Sequence, residues 1–379
     1  MNFFKKNPCI KNFSSVKITV VCLGLLFILT FWGTVDQVQD GLYHAQQQFF
    51  NSYFFLVFGI FPFPGAQAVL WILFINLVCV ALTRFVYRLS HIGILIIHFG
   101  LLTYFVAAFF TLHCIEESQL TLMEGNASNV SSAYHDWELS VWKKEGMKKH
   151  VIAYDTQALK PDEILDFSEY GFKAVVENYY PNAEEFSHAD NPHEAIINIS
   201  GIQGLGPVEP NKEPEKNFPG GEFLLKIKAQ KDIHLLLSGK EAIATPLPIG
   251  KETYYFMLRR KRYVLPLTVK LIDFMKEVHP GTEVSRSFKS KVEIDANGLS
   301  REVTVFMNNP LRYKNYTFYQ ASYAINEQGR ELSTFAVVKN SGRVFPYVAS
   351  LSTFVGLLTH FLLMAFRSRP KYRKEKVYV

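Results

Sequence analysis

The sequence predicts a membrane protein with four transmembrane α-helices and a large, mostly β extracytoplasmic domain inserted between helices three and four. Three observations carry that fold class. Apolar residues of the 379-residue chain concentrate in the first 115 and the last 35 positions, while the middle has the composition of a globular domain. Basic residues cluster beside the apolar runs. The middle also alternates apolar and polar residues with the period of half-buried strands.

The first uncharged run, residues 18–35, lies between Lys17 and Asp36. It just reaches the ~20 residues that a helix needs to cross a bilayer. A signal peptide is the competing reading, but Phe31-Trp32-Gly33-Thr34 offers no small-residue cleavage site. No charge occurs from Gly41 to Thr83, too long a stretch for a single span, and Pro62 and Pro64 interrupt it. A second span is therefore expected at 65–83. The piece before it, 44–61, is dense in phenylalanine and broken by glutamines. It reads either as an interfacial amphipathic helix or as a packed loop. Arg88 and Glu116 bracket a third span at 92–112, so the N-terminal membrane part is expected to cover 1–112. Arg343 and Arg367 bracket a fourth at 344–366, and 367–379 form a basic tail.

Charge sets the expected orientation. The net charge is +6, yet segments 1–17, 84–91 and 367–379 together hold 12 basic residues and 1 acidic one, which leaves the remainder at −5. A basic protein can signal a nucleic-acid partner. Here the positive charge sits at the ends of apolar runs, where it orients helices in a bilayer, so no nucleic acid is expected. Four spans put both termini and all three basic clusters on one side, the cytoplasmic one. Residues 113–343 are then expected on the opposite side as one domain.

Within that domain 223–228, 264–272 and 289–294 alternate as strands. Asp295-Ala296-Asn297-Gly298 marks a hairpin between 291–294 and 302–306, and 316–325 and 332–338 are expected as the last strands. Trp137 and Trp142 are expected in a strand pair as core residues, and 204–221 as a surface loop. The four cysteines, Cys9, Cys22, Cys79 and Cys114, form no CxxC, and no CxxCH is present, so the chain is not itself a c-type cytochrome. No nucleophile elbow, P-loop, dinucleotide fingerprint or HExxH occurs, so the chain carries no self-contained catalytic motif.

Ionisable residues inside spans are costly and therefore informative. His98 stands in the third span and His360 in the fourth, each six residues from the expected cytoplasmic end. At ~1.5 Å rise per residue both would lie about 9 Å inside the membrane. Two imidazoles at one depth could face one ligand, and imidazole is both a common metal ligand and an axial haem ligand. The plainer reading is a hydrogen bond to a neighbouring helix. Gly93 and Gly100 flank His98 and could admit either a flat cofactor or a closely packed helix. His44 and His113 are expected at the outer surface, where either could touch an emerging ligand. His91 suits an interfacial role. His188 and His193, five apart in an acidic loop, make a weak metal pattern.

Several segments, taken in order, resemble the ResB (CcsB) family of system II cytochrome c biogenesis. They are Gly33-Thr34-Val35 with Gly41-Leu42-Tyr43, His98-Phe99-Gly100 and Leu120 to Asn126 (LTLMEGN). Leu265-Pro266-Leu267-Thr268-Val269 with Asp273-Phe274 follows, then Pro280-Gly281-Thr282. The most specific block is Met307-Asn308-Asn309-Pro310-Leu311 with Tyr319-Gln320-Ala321-Ser322-Tyr323, and Pro346-Tyr347 opens the last span. The resemblance implies a bacterial inner-membrane subunit that works with a CcsA-type partner. The pair would carry haem b across the bilayer and support its attachment to the CxxCH cysteines of apocytochrome c. It also implies that the third-span histidine, His98, is the haem-associated one and an axial ligand of the iron. The partner's tryptophan-rich segment has no counterpart here. The alternative is a membrane-anchored scaffold for apocytochrome c or the partner, with no haem ligation of its own.

Overall fold

The computed structural model describes residues 7–85, 88–146, 148–187, 196–227, 230–281 and 285–367. It divides into two compact units, 1–116 with 339–379, and 117–338. His188 and His193 lie outside the described residues.

The first unit is helical. Four helices are long and apolar enough to cross a membrane: α1 (Val16–Asp40), α2 (Ala66–Thr83), α3 (Ile92–Cys114) and α4 (Phe345–Arg367). Ser15 caps α1 by accepting the backbone N–H of Lys17, and Gly41, at φ +81°, ends it. The helix thus runs past Asp36, because a charge marks the edge of an apolar run rather than the end of a helix.

Asn76 is buried on α2 and binds the entry to α1. Its Nδ2 donates to the carbonyls of Phe13 (2.5 Å) and Ser15 (3.0 Å), and its Oδ1 accepts from Thr19 Oγ1 (2.8 Å). The carbonyls of a chain entering a helix would otherwise lack partners in an apolar medium.

The segment between α1 and α2, expected over 44–61 as an interfacial helix or a packed loop, combines a short helical part with a hairpin. One α-turn, Leu42–Ala45, passes into a π-helical turn, Gln46–Phe50, and a hairpin follows from β1 (Phe54–Val57) and β2 (Phe61–Pro64). Pro62 and Pro64 remove two N–H donors from β2, which pairs with β1 alone. Phe49 and Phe55 are buried, and their rings pack with Trp32 and Phe63 at centroid distances of 4.9–6.0 Å. The aromatic residues form a cluster on α1 rather than one face of a helix.

The second unit is β. Its strands in chain order are β3 (Ile115–Met123), β4 (Ala127–Glu145), β5 (Lys148–Asp155), β6 (Ile164–Phe167), β7 (Phe172–Tyr180), β8 (Ala183–Phe186), β9 (Ile196–Ile197), β10 (Gly204–Pro207), β11 (Gly220–Ile227), β12 (Ile233–Ser238), β13 (Thr245–Ile249), β14 (Glu252–Val278), β15 (Ser285–Ala296), β16 (Leu299–Phe306), β17 (Leu311–Tyr313), β18 (Tyr316–Ile325) and β19 (Glu331–Asn340). The largest sheet runs β16-β15-β14-β4-β3-β19-β18-β17, with β13 and β5 as side pairs. A five-stranded sheet runs β6-β7-β11-β12-β9, and β10 pairs with β8. Part of the expected loop at 204–221 is therefore strand.

Two large apolar cores and a smaller cluster around Ala183, Ile202, Leu205 and Leu236 fill this unit, and β14 serves both large ones. Tyr254, Phe256 and Leu258 point into one core, and Leu265, Leu267, Val269 and Leu271 into the other. The buried positions change from even to odd where the pairing with β4 slips, between Arg260 and Arg262 and again between Val264 and Val269. Successive strand residues face opposite sides, so a slip of this kind turns the apolar face from one core to the other. Trp137 and Trp142 lie on one strand, β4, rather than on a pair, and their odd spacing puts them on its opposite faces. Beside them Glu138 and Arg259 form a buried cross-strand ion pair at 2.8 Å. The hairpin from β15 to β16 turns on Asn297 and Gly298, both at positive φ, as an Asn-Gly turn requires.

Candidate functional site

α3 and α4 run antiparallel in close contact. A Cβ on Gly93 would lie 2.5 Å from the backbone N of His360 and 2.7 Å from its Cα, and one on Gly100 would lie 2.9 Å from the backbone N of Thr353. From the other side, a Cβ on Gly356 would lie 2.7 Å from the backbone N of Ile97. Further along, Tyr104 Oη lies 2.5 Å from Ser350 Oγ, and the rings of Phe110 and Phe345 are 5.0 Å apart. Small residues let the two backbones approach, as is usual between helices in lipid. Of the two readings open for Gly93 and Gly100, the structure has the closely packed helix.

This crossing separates the two span histidines. Gly93 stands opposite His360 and Gly100 opposite Thr353, so His98 falls level with Val355. That is five residues, or about 7 Å, from His360 along the helices. The expectation of equal depth fails because it counted each histidine from its own helix end, whereas the register of the pair sets Ile92 opposite Phe361 rather than Phe366. The two histidines also differ in direction. At ~100° per residue, His98 lies ~130° around α3 from the stripe of Gly93, Ile97, Gly100 and Tyr104 that meets α4. His360 belongs to the α4 side of that seam.

His98 is half-buried on the side of α3 that faces α2. Its Nδ1 lies 2.8 Å from the carbonyl oxygen of Ile94, one turn earlier on the same helix. A carbonyl only accepts, so Nδ1 carries a proton, and in the neutral ring the lone pair is then on Nε2. The edge of the ring meets Phe85, with centroids 4.6 Å apart at 79°. Beyond His98 the same face of α3 continues through Leu102, Phe105 and Phe109, and Phe105 packs on Phe74 of α2 at 5.4 Å. These bulky side chains hold α2 and α3 apart and leave hollows between them. One, of about 200 Å³, is lined by Trp71, Phe74, Phe105, Phe109 and His113, among others. A second, of about 550 Å³, has Phe74, Val78, Phe99, Leu102 and Val106 in its walls, with Phe345 and Val348 of α4. The signal for this face is the i, i+4, i+7, i+11 spacing of His98, Leu102, Phe105 and Phe109, which charged boundaries alone do not reveal.

Four other described histidines have polar partners close by. His44 Nε2 lies 2.8 Å from Gln48 Oε1, and His91 Nδ1 lies 3.0 Å from Ser90 Oγ. His150 meets Tyr170 and Glu169, and His234 meets Glu177. Among the described residues, no group of three or more His, Cys, Asp or Glu side chains is placed to hold a metal ion. A single imidazole donor on an apolar helix face suits a metal that already has most of its ligands, as iron does in a porphyrin, better than a bare ion.

Residues 250–360 match the model of the ResB-like family. The stretch takes in β14 through β19 and α4 as far as His360, and His98 lies outside it. The resemblance read from the sequence holds over that stretch. Protein NrfI of Wolinella succinogenes is 31% identical over 100 residues, which cover 26% of this chain and 11% of NrfI.

Proposed function

We propose that this chain, ResB-like over residues 250–360, is a subunit of a cytochrome c biogenesis assembly of the system II kind. In this reading it acts with a CcsA-type membrane partner to deliver haem b across a bacterial inner membrane. It also supports covalent attachment of that haem to the CxxCH cysteines of apocytochrome c. Haem is cargo here, and the chain supplies ligation and a path. Both termini are cytoplasmic in this account and the β unit is extracytoplasmic, a reading supported by the basic clusters at 1–17, 84–91 and 367–379.

The observation that carries the reading is the state of His98. The hydrogen bond from Nδ1 to the Ile94 carbonyl fixes the tautomer that leaves Nε2 free to bind iron. A backbone partner on the distal nitrogen is the usual way in which a ligating histidine is oriented. Phe85 limits rotation of the ring from one side. Apolar hollows lie further along α3, beyond the turn that carries His98. His360 is the second candidate ligand. Its backbone is held in the seam with α3, so it would take haem only on the surface of α4 that α3 leaves uncovered.

The test is the visible spectrum of the full chain purified with its partner. His98→Ala should remove or shift the haem Soret band, and added imidazole should restore it by occupying the space left by the ring. His360→Ala is the matching variant and should leave that band in place. A Soret band unaltered in His98→Ala would sink the ligation claim and leave the scaffold role as the surviving account.

A further inference from the structure

The two hollows beside α2 and α3 adjoin, and they differ in chemistry. Phe74 of α2 and Val106 of α3 stand in the walls of both. The smaller, of about 200 Å³, has a polar end, where Gln67 in the first turn of α2 and His113 in the last turn of α3 line it. Its other walls are largely aromatic, with Trp71, Phe74, Phe105 and Phe109, and the His113 ring lies against Phe109 with centroids 4.7 Å apart. Among the described residues neither the Gln67 amide nor the His113 ring has a hydrogen-bond partner. The larger hollow, of about 550 Å³, is walled by apolar side chains and by Thr103, whose hydroxyl already donates to the carbonyl of Phe99 at 2.9 Å.

We propose that the two hollows together bind a membrane quinone, with its ring in the smaller and its isoprenoid tail in the larger. Size comes first. An apolar cavity of about 150 Å³ accepts a benzene, so a hollow of about 200 Å³ accepts one substituted ring and excludes a macrocycle. Hydrogen bonding comes second. Gln67 offers an amide N–H from α2 and neutral His113 a ring N–H from α3, and the two carbonyl oxygens of a quinone only accept. A bare acyl chain would leave both donors unmet.

Charge and shape complete the match. No lysine or arginine lines either hollow, so a phospholipid phosphate seated there would lack a counter-charge, whereas a quinone ring is neutral. The aromatic walls offer faces and edges to a flat conjugated ring. Beyond Phe74 and Val106 the surroundings become apolar, as a hydrocarbon tail requires. His98 lines neither hollow, so this claim stands or falls apart from the haem reading.

The experiment places the full chain in nanodiscs of synthetic phosphatidylcholine and titrates in decylubiquinone while tryptophan fluorescence is read. The wild type should show a saturable quench, and Trp71→Phe should remove that component. Gln67→Leu and His113→Leu, each missing one donor, should raise the half-saturating concentration about tenfold. Ala108→Phe fills the smaller hollow and should abolish saturation. Infrared spectra with a carbonyl-labelled quinone supply a readout on the unaltered chain. Both carbonyl bands should lie below their positions in free lipid, and each leucine variant should return one of them, which a merely structural role would not produce. A quench that rises without saturating and is the same in the wild type and Ala108→Phe would overturn the site. So would carbonyl bands at their free positions in the wild type, or displacement of the quinone by an equal amount of phosphatidylglycerol, which would make the hollows a phospholipid seat.

Discussion

α3 meets its two helical neighbours in opposite ways. Against α4 it presents Gly93 and Gly100, and the backbones come so close that a single Cβ would collide. Against α2 it presents Leu102, Phe105 and Phe109, and the helices are held apart around hollows of about 200 and 550 Å³. The first arrangement gains stability from close backbone contact along the glycines, and only towards Phe345 does α4 help to wall the larger hollow. The second gives up contact and creates room. One helix thus has a tightly packed side and a side with hollows; His360 is held at the first, and His98 points away from it.

That contrast can be broken by substitution. The largest effect should come from Gly100→Leu or Gly93→Leu. The added side chain meets backbone atoms that cannot move aside, and overpacking of this sort costs about 1–3 kcal/mol or more. Equilibrium unfolding in lipid should show the loss. A variant as stable as wild type would mean that the seam is looser than the close approach of Gly93 to His360 indicates.

A smaller effect is expected on the other side. Phe105→Ala enlarges a space already open to lipid, and lipid chains can refill it. Because apolar burial drives little association inside a bilayer, the cost should stay within about 1 kcal/mol. The same variant should weaken quinone retention, since it removes an aromatic wall. If Phe105→Ala destabilises as much as Gly100→Leu, the two sides of α3 do not differ as described.

The smallest effect at neutral pH concerns the β unit and shows by contrast what burial does to a titratable group outside the membrane. Burial pushes the Tyr179 hydroxyl up to about 12, only partly offset by its hydrogen bond with Thr156. The raised value means that the fold favours the neutral phenol. This contribution is complete below the ordinary tyrosine value of about 10 and disappears as pH rises through about 12. Tyr179→Phe should therefore flatten the fall in stability of the β unit over that alkaline range, measured by denaturant unfolding at a series of pH values. An unchanged fall would assign the alkaline transition to other groups.

The sequence displays the membrane helices plainly, because an uncharged run of bilayer length has few other uses. The hairpin at Asn297-Gly298 is equally plain, since two positive φ values in succession call for those residues. The strand β14 is only half visible. Its apolar residues alternate on even positions and then on odd ones, so a search for a single period finds 264–272 and misses the rest of Glu252–Val278. The segment 44–61 misleads for a different reason. Phenylalanine and glutamine at close spacing suit an interfacial helix, while the proline pair at 62 and 64 suits the edge of a hairpin, and the structure takes part of each. His98 and His360 are legible as imidazoles within apolar spans. Their relation is not, because it depends on the register of α3 against α4, and that register is set by glycines whose partners are more than 250 residues away.

The most direct test of the central claim is a density map of the full chain with its partner in lipid, with haem supplied. The account predicts iron at coordination distance, about 2 Å, from Nε2 of His98, with Nδ1 still bonded to the Ile94 carbonyl. A map in which His98 touches only side chains, with haem bound elsewhere, would contradict it.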